Sequence, residues 1–357
     1  MKPIVVVPAA GKSSRFLGIA PKWMRTHPDG SLMIEKALKT FHSQNFKTYL
    51  ITTEEINEKF QIIVKLNQAL PDLEVVLLDK QTSSSIETLV KGLEKIGSNI
   101  DLNTPLFIKD VDNVVEFDWN LFDFTISSSV GVDLKTMVIN NIINKSFLIV
   151  NENNMIIDFI EKEVVSNIIS VGTHYFKTAF EAIKTAQSLL NKKKYIDIEL
   201  YTSHIIAYNI YSGIEYKLIK AVIYEDYGTQ TEWNLVRNKH KTLFIDFDGT
   251  IVENIGRYGH KNWFTRNDTV IESNIKVINK LYKEGAQIII TTSRDISEKE
   301  YIKNFLLSFG LIPFEIICGL NHSERVIIND YFDTNPYPTA SAINIERNGD
   351  LSSFLNY

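Results

Sequence analysis

The stretch Ala221–Val252, AVIYEDYGTQTEWNLVRNKHKTLFIDFDGTIV, holds two acidic turns close together. Its first half places Asp226 inside YEDYGT, and its second half places Asp246 and Asp248 inside FIDFDGT. Each turn follows an apolar, β-rich run. Each is therefore expected at a strand end, on the rim where open α/β sheets bind ligands. Two such rims in a chain of 357 residues predict two α/β domains. Asn234–Lys241 reads as the linker, so the domains are expected to span 1–235 and 241–357.

The composition suits packed cores, with 44% hydrophobic residues. A formal net charge of −5 gives no general pull toward nucleic acid or anionic membranes. The single cysteine, Cys318, cannot form a disulfide within the chain, which fits a reducing, cytoplasmic setting. The opening MKPIVVVPAAGK has too short an apolar run for a signal peptide. No run approaches the roughly 18 apolar residues of a membrane span.

Upstream of the central stretch, Ile4–Val7 reads as a buried strand, followed by PAAGKSSRFLGIAPKWM. Small residues after a strand let the backbone approach a ligand, and successive N–H groups there make an anion nest. Arg15 and Lys22 add positive charge, so the pattern demands a polyphosphate cradle. Gly11-Lys12-Ser13 is not a P-loop, because that motif needs a glycine where Val6 stands. Nor is it a dinucleotide fingerprint, because Ser13 breaks the G-x-G.

Further strands are expected at Thr48–Thr53 and Leu73–Asp79, with a helical stretch between them. QTSSSIETLVKGLEKI follows with Ile86, Leu89, Val90, Leu93 and Ile96 at helical spacing behind capping serines. Leu106–Ile108 reads as a buried strand that ends in Asp110 and Asp112. FLIVNENNMIIDFIEKE reads as a hairpin turning at Asn151–Asn154, and SNIISVGTHYFK follows it.

Taken in order, these elements resemble the sugar-nucleotide nucleotidyltransferases: Gly11, Arg15 and Pro21-Lys22, then Asp110, then Glu161-Lys162, then Asp226-Tyr227-Gly228-Thr229. The chain departs from that pattern at the loop's second glycine, where Ser13 or Ser14 stands, and before Asp110, where Lys109 replaces glycine. The resemblance implies a three-layer α/β/α fold with a mixed sheet. It implies a nucleotide cradle of Ala9, Ala10, Gly11 and Ser13, with Gln81 reading the base. It implies an acceptor side of Glu161, Lys162 and Gly172, and Mg²⁺ on Asp226 and Asp110, with Asp112 the alternative to Asp110. Mg²⁺ commonly takes one or two carboxylates plus substrate phosphate. In the implied reaction an acceptor phosphate oxygen attacks the α-phosphorus of a nucleoside triphosphate and pyrophosphate leaves. Lys22 would act near the α-phosphate and Arg15 on the leaving pyrophosphate. PAAGKSSRF looks somewhat like cytidylyltransferase openings, which makes CTP a candidate.

Downstream, Thr242–Ile245 reads as a strand and DFDGT follows. Alternate residues of an extended strand end share one face, so Asp246 and Asp248 reach one pocket. QIIITTSRD places Thr291 and Thr292 at another strand tip, and RVIINDYFD is expected to be a strand ending in Asn329-Asp330. This series resembles the haloacid dehalogenase superfamily of phosphatases. The resemblance implies a second Rossmann-like α/β/α domain with a parallel sheet. Its nucleophile would be Asp246 and its acid and base Asp248. Thr292, or alternatively Thr291, would bind the phosphoryl group, and Arg325 would be the basic residue. Mg²⁺ would sit on Asp246, Asp248 and Asp330, with Asn329 an oxygen donor and Asp333 helping through water. The segments between these motifs are too short for a sizeable cap domain. The loop Asn254–Asp268, with Arg257, Tyr258, His260, Lys261, Trp263 and Arg266, either grips a phosphorylated sugar or is a solvated basic loop.

Together the two halves are expected to form a bifunctional enzyme with one or two Mg²⁺ in each domain. Its expected partners are a nucleoside triphosphate and a phosphorylated sugar or polyol, and a homo-oligomer is possible. The expected setting is supply of activated sugar for capsule or lipopolysaccharide. The alternative is a phosphatase whose first domain only binds nucleotide and regulates it.

Overall fold

The computed structural model describes residues 1–11, 20–97, 100–193, 199–255, 267–330 and 340–354. The chain divides into two compact units, Met1–Trp233 and Asn234–Tyr357. Residues 234–239, expected as linker, continue helix α7 (Gln230–Lys239). No helix among the described residues is long and apolar enough to cross a membrane.

In the first unit, β1 (Ile4–Pro8) lies between β2 (Lys47–Thr53) and β4 (Leu106–Lys109) and runs parallel to both. Beyond β2 lies β3 (Leu73–Leu78), also parallel. On the other side, β9 (Ile168–Phe176) runs antiparallel to both β4 and β6 (Ser127–Asp133), which makes the sheet mixed. β10 (Tyr216–Lys220) and the hairpin of β7 (Ser146–Val150) and β8 (Met155–Glu161) complete it. Strand alternation then builds two cores. Val5 and Val7 enter one with Ile34, Leu38 and Phe41 of α1 (Met33–His42). Ile4 and Val6 enter the other with Leu89 and Leu93 of α4 (Ser85–Ile96) and with residues of α5 (Ala179–Lys193) and α6 (Thr202–Tyr211). Because both faces are covered, β1 reads in sequence as a continuous apolar run. The Ser84 side chain accepts the Glu87 N–H and caps α4, as its serines suggest.

A two-stranded ladder stands apart from the main sheet, formed by β5 (Asn113–Glu116) and β11 (Ile223–Asp226). Its register sets Asp226 opposite Asn113.

The second unit has a parallel sheet in the order β12 (Thr242–Asp246), β13 (Gln287–Thr291), β14 (Glu315–Ile317). Helices α8 (Glu272–Glu284) and α9 (Lys299–Ser308) supply Ile275, Ile278, Ile302 and Leu306 to its core. The strand expected to end at Asn329-Asp330 does not form. Residues 324–330 are irregular, and Val326, Ile327 and Ile328 are 69%, 53% and 93% exposed. A β-branched run becomes a strand only where a neighbouring ladder and a buried face receive it. Here, among the described residues, β12 pairs only with β13, and its Phe244 is exposed.

Helix α4 crosses β2 closely at Gly92, where an added Cβ would lie 2.0 Å from Ile51 Cδ1. Gly92→Ala is expected to destabilise the first unit by about 1–3 kcal/mol through overpacking. Chemical denaturation followed by circular dichroism would check this, and an unchanged midpoint would contradict it.

Candidate active sites

In the first unit a cavity of about 590 Å³ opens beyond the ends of β1 and β4. Ala9, Gly11, Lys22, Asp110, Asp112 and Asp226 line it, as do Glu161, Lys162 and Gly172. Two expected residues do not. Ala10 is fully buried, packs in the core beside α4, and offers its carbonyl to the Thr82 N–H at 3.3 Å. Gln81 is exposed outside the lining, and the neighbouring Thr82 and Ser83 line it instead. Ser13 and Arg15 lie outside the described residues.

The acidic residues divide into a pair and a neighbour. Gly228 touches both members of the pair: a Cβ there would lie 3.0 Å from Asp226 Oδ1 and 3.4 Å from Asp112 Oδ2. Main-chain bonds hold this approach, with the Tyr227 N–H donating to the Asp112 carbonyl at 2.8 Å and the Gly228 N–H to Asp226 Oδ1 at 2.9 Å. Asp110 instead packs on Gly172, whose carbonyl accepts the Asp110 N–H at 2.8 Å. Asp112 and Asp226 thus converge at Gly228, while Asp110 lines the same cavity beside Gly172. The strand pairing of Asp226 with Asn113 draws in the second aspartate of the DVD turn, while the first is held through its N–H on the Gly172 carbonyl of β9.

A lysine sits on each member of the pair. Lys22 ion-pairs with Asp112, and Lys145 with Asp226. Burial would raise the Asp112 carboxyl, but the Lys22 ammonium overrides it and holds the group at about 2. Asp110 faces the cavity but is ringed by protein. Poor solvation, and then the Asp112 charge, push it up to about 6. Beneath them Lys109 is fully buried, donating to the Asp110 carbonyl at 2.7 Å and to Asn113 Oδ1 at 2.6 Å. Burial lowers its ammonium to about 8. Lys109, standing where the resembled family has glycine, thus ties together the main chain that carries both aspartates.

On the opposite wall Glu161 accepts from Ser146 Oγ at 2.5 Å and from Ser203 Oγ at 2.7 Å. Lys162, with φ +58°, lays its ammonium 4.2 Å over the Tyr201 ring. Gly172 has φ +64°, and a Cβ there would come within 2.0 Å of Asp110 Oδ2. Its role is to leave room for Asp110, and only glycine does so without strain.

In the second unit Asp246 ends β12 and accepts from Arg325 Nη1 at 2.7 Å. Burial raises its carboxyl, against the lowering effect of Arg325. Asp248 accepts from Thr292 Oγ1 at 3.0 Å, whereas Thr291 Oγ1 turns to the Ile245 carbonyl at 3.3 Å. Thr292 thus stands at Asp248, and Thr291 does not. Arg294 is 2% exposed and forks between two carboxylates, reaching Asp248 Oδ1 at 2.6 Å and Asp268 Oδ1 and Oδ2 at 2.7 Å. Its guanidinium stays charged because Asp268 and Asp248 outweigh burial. It also lies 4.8 Å over the Phe247 ring.

Both oxygens of Asp248 thus accept from protein donors, and Asp330 stands in the exposed irregular segment. Among the described residues no group of three or more His, Cys, Asp or Glu side chains is placed to hold a metal ion. Asp246 and Asp248 stand at the end of β12, while Asp330 lies in a segment that forms no strand. Asp333 and the loop residues Arg257, Tyr258, His260, Lys261, Trp263 and Arg266 lie outside the described residues. In the first unit the two carboxylates Asp112 and Asp226 suit Mg²⁺, whose other ligands can be phosphate and water.

Several site residues escape a reading of the sequence. Lys145, Ser146 and Ser203 are single polar residues in unremarked segments, and nothing in their neighbourhood signals a role. Arg294 is the exception. It stands two residues after Thr292 at the same strand tip, a position from which a planar fork reaches a carboxylate.

Residues 243–350 match a family model described as haloacid dehalogenase-like hydrolase. The comparison with curated proteins found no match. The first unit is similar to the nucleoside-diphosphate-sugar pyrophosphorylase from Vibrio cholerae RC9, at 19% identity, with 65% of this chain and 99% of that chain covered and a TM-score of 0.56. It is also similar to a UDP-glucose pyrophosphorylase complexed with UDP-glucose, at 16% identity, 67% and 98% coverage and a TM-score of 0.51. These likenesses bear out the nucleotidyltransferase fold, and the family match bears out the second resemblance.

Two outcomes follow from these charges. Asp110 binds its proton more tightly folded than unfolded, so its contribution to stability is present at low pH and is lost as pH rises through about 6. Asp110→Asn should therefore melt higher than wild type at pH 8, by about 2–4 °C for an effect discounted to on the order of 1 kcal/mol. The advantage should shrink as pH falls from 6 toward 4, and a pH-independent difference would contradict the assignment. Arg294→Ala leaves two largely buried carboxylates uncompensated and should cost the second unit about 3–5 kcal/mol. Denaturant midpoints would show it.

Proposed function

We propose that the chain is a bifunctional enzyme, with a nucleotidyltransferase in 1–235 and a phosphatase in 241–357. The observation that carries the first activity is the convergence of Asp112 and Asp226 on Gly228, with Lys22 beside them and Glu161 and Lys162 across the cavity. Asp112 and Asp226 would hold Mg²⁺, which supplies positive charge beside the phosphates when bound. Lys22 adds charge near the α-phosphate, and the Gly11 turn offers backbone to the triphosphate. Glu161, fixed by its two serines, accepts hydrogen bonds from acceptor hydroxyls, and Lys162 neutralises the acceptor phosphate. An acceptor phosphate oxygen then bonds to the α-phosphorus as the bond to pyrophosphate breaks. Positioning and charge neutralisation supply the catalysis.

In the second unit an oxygen of Asp246 attacks a phosphomonoester, and Asp248, which must carry a proton in the reacting form, gives it to the departing alkoxide. Water, giving its proton to Asp248, then releases phosphate from the aspartyl-phosphate. Thr292 and Arg294 hold Asp248 in place, and Arg325 stands beside the nucleophile to meet the phosphoryl charge. The substrates that fit the first unit are a nucleoside triphosphate, with CTP a candidate, and a sugar or polyol phosphate. The pairing of the two activities suits the supply of an activated sugar for capsule or lipopolysaccharide, a placement that rests on fold analogy.

Pyrophosphate release from a panel of nucleoside triphosphates with mixed sugar and polyol phosphates and Mg²⁺ tests the first activity. It should fall by at least about 10²-fold in Asp112→Asn and Asp226→Asn and persist in Asp246→Asn. Phosphate release should show the reverse pattern. If no triphosphate turns over while phosphate release still depends on Asp246, the first unit is a nucleotide-binding regulator of the phosphatase.

A further inference from the structure

The transferase cavity contains an arrangement that the reaction just described does not use. Lys145 ion-pairs with Asp226, and its ammonium lies 4.0 Å from Glu232 Oε1. Glu232 is 5% exposed. Its Oε2 accepts the Thr229 N–H at 2.8 Å and caps α7, but its buried Oε1 has no hydrogen-bond partner. A buried carboxylate oxygen left without a donor is costly and needs an explanation. The nearby ammonium is the group that would satisfy it. Lys145 also stands between the two halves of the cavity. Its neighbour Ser146 holds Glu161, and its carbonyl accepts the Lys162 N–H at 3.0 Å.

We propose that Lys145 is a two-position lysine that occupies Asp226 before a divalent cation arrives and moves to Glu232 Oε1 when the cation takes the carboxylate. Asp226 cannot serve a lysine and a metal ion fully at once, because both draw on the single negative charge of its carboxylate. A lysine is suited to the exchange, being a compact charge on a flexible stem, whereas a bidentate arginine would hold its carboxylate more rigidly. Glu232 lowers the cost of the move by giving the ammonium a prepared anchor. Once there, Lys145 stays in the cavity wall between the nucleotide and acceptor sides, where its charge faces phosphate oxygens. The inference rests on the transferase reading only for that last consequence. The exchange itself concerns Lys145, Asp226 and Glu232.

The test is Mn²⁺ binding to the full chain without nucleotide, followed by electron paramagnetic resonance. The component of interest is the one lost in Asp226→Asn. Lys145→Met removes the competitor and should tighten that component about tenfold. Glu232→Gln removes the anchor's charge and should weaken it several-fold. Simple loss of charge would also move the two variants in opposite directions but additively, so the double variant decides: if Glu232 acts by anchoring Lys145, Glu232→Gln has no further effect in the Lys145→Met background, and an additive effect overturns the exchange. Unchanged affinities, or shifts of the same sign, would overturn the proposal. Should Glu232→Gln fail to fold, since it also caps α7, Lys145→Arg decides: it keeps the charge but holds Asp226 more rigidly, so binding weaker than wild type supports the exchange and unchanged binding overturns it. Pyrophosphate release by the wild type is measured alongside. Its absence would remove the transferase reading while the Mn²⁺ result still decides the exchange.

Discussion

The short antiparallel ladder between β5 and β11 is the constraint on which the first site depends. Setting Asp226 opposite Asn113 joins residues that are far apart in the chain, and the Tyr227 N–H bond to the Asp112 carbonyl extends the join by one step. Two carboxylates are thereby brought against the same glycine. Main-chain hydrogen bonds are suited to this task because they do not depend on side-chain rotamers. They hold like charges together that would separate if carried on flexible loops. The large sheet supplies a rim and two cores, and this small ladder converts the rim into a site.

Bringing carboxylates together raises an electrostatic problem, and the two units answer it differently. In the first unit a lysine stands on each member of the pair, and a third, Lys109, is buried below. The neighbouring Asp110 and Asp112 are pushed apart in acidity, one to about 6 and the other to about 2. That is how adjacent acids relieve mutual repulsion. In the second unit Arg294 forks between Asp248 and Asp268 with its charge fully enclosed. Lysines leave room for exchange with other cations, whereas the buried fork fixes an orientation. The first arrangement fits a site that must admit highly charged substrates, and the second fits a carboxylate that must hold its aim.

Much of the fold was legible because its signals are local. β1, β2, β4, the capped helix α4 and the Asn-turned hairpin β7–β8 each carry their own period or cap. The segment Arg325–Asp330 shows the limit of that logic. Its residues favour a strand, yet no ladder or buried face receives them, and they lie exposed. The same limit applies to Gln81 and Ala10. A match to a family's residue pattern at these positions said nothing about which neighbours would face the cavity.

The sequence by itself determined the two α/β units, the strand-end placement of Asp226, Asp246 and Asp248, and the residue types of a phosphate-handling chemistry. These follow from alternation, apolar runs and turn formers, which act over a few residues. Only the tertiary structure decided that Asp112 and Asp226 converge at Gly228, that Gly172 makes room for Asp110, and that Lys145, Glu232, Arg294 and Asp268 join the sites. Each of these depends on the register of strands distant in the chain, or on a buried charge finding its counter-charge. No local pattern encodes such relations, because they arise when separate segments must share one small volume.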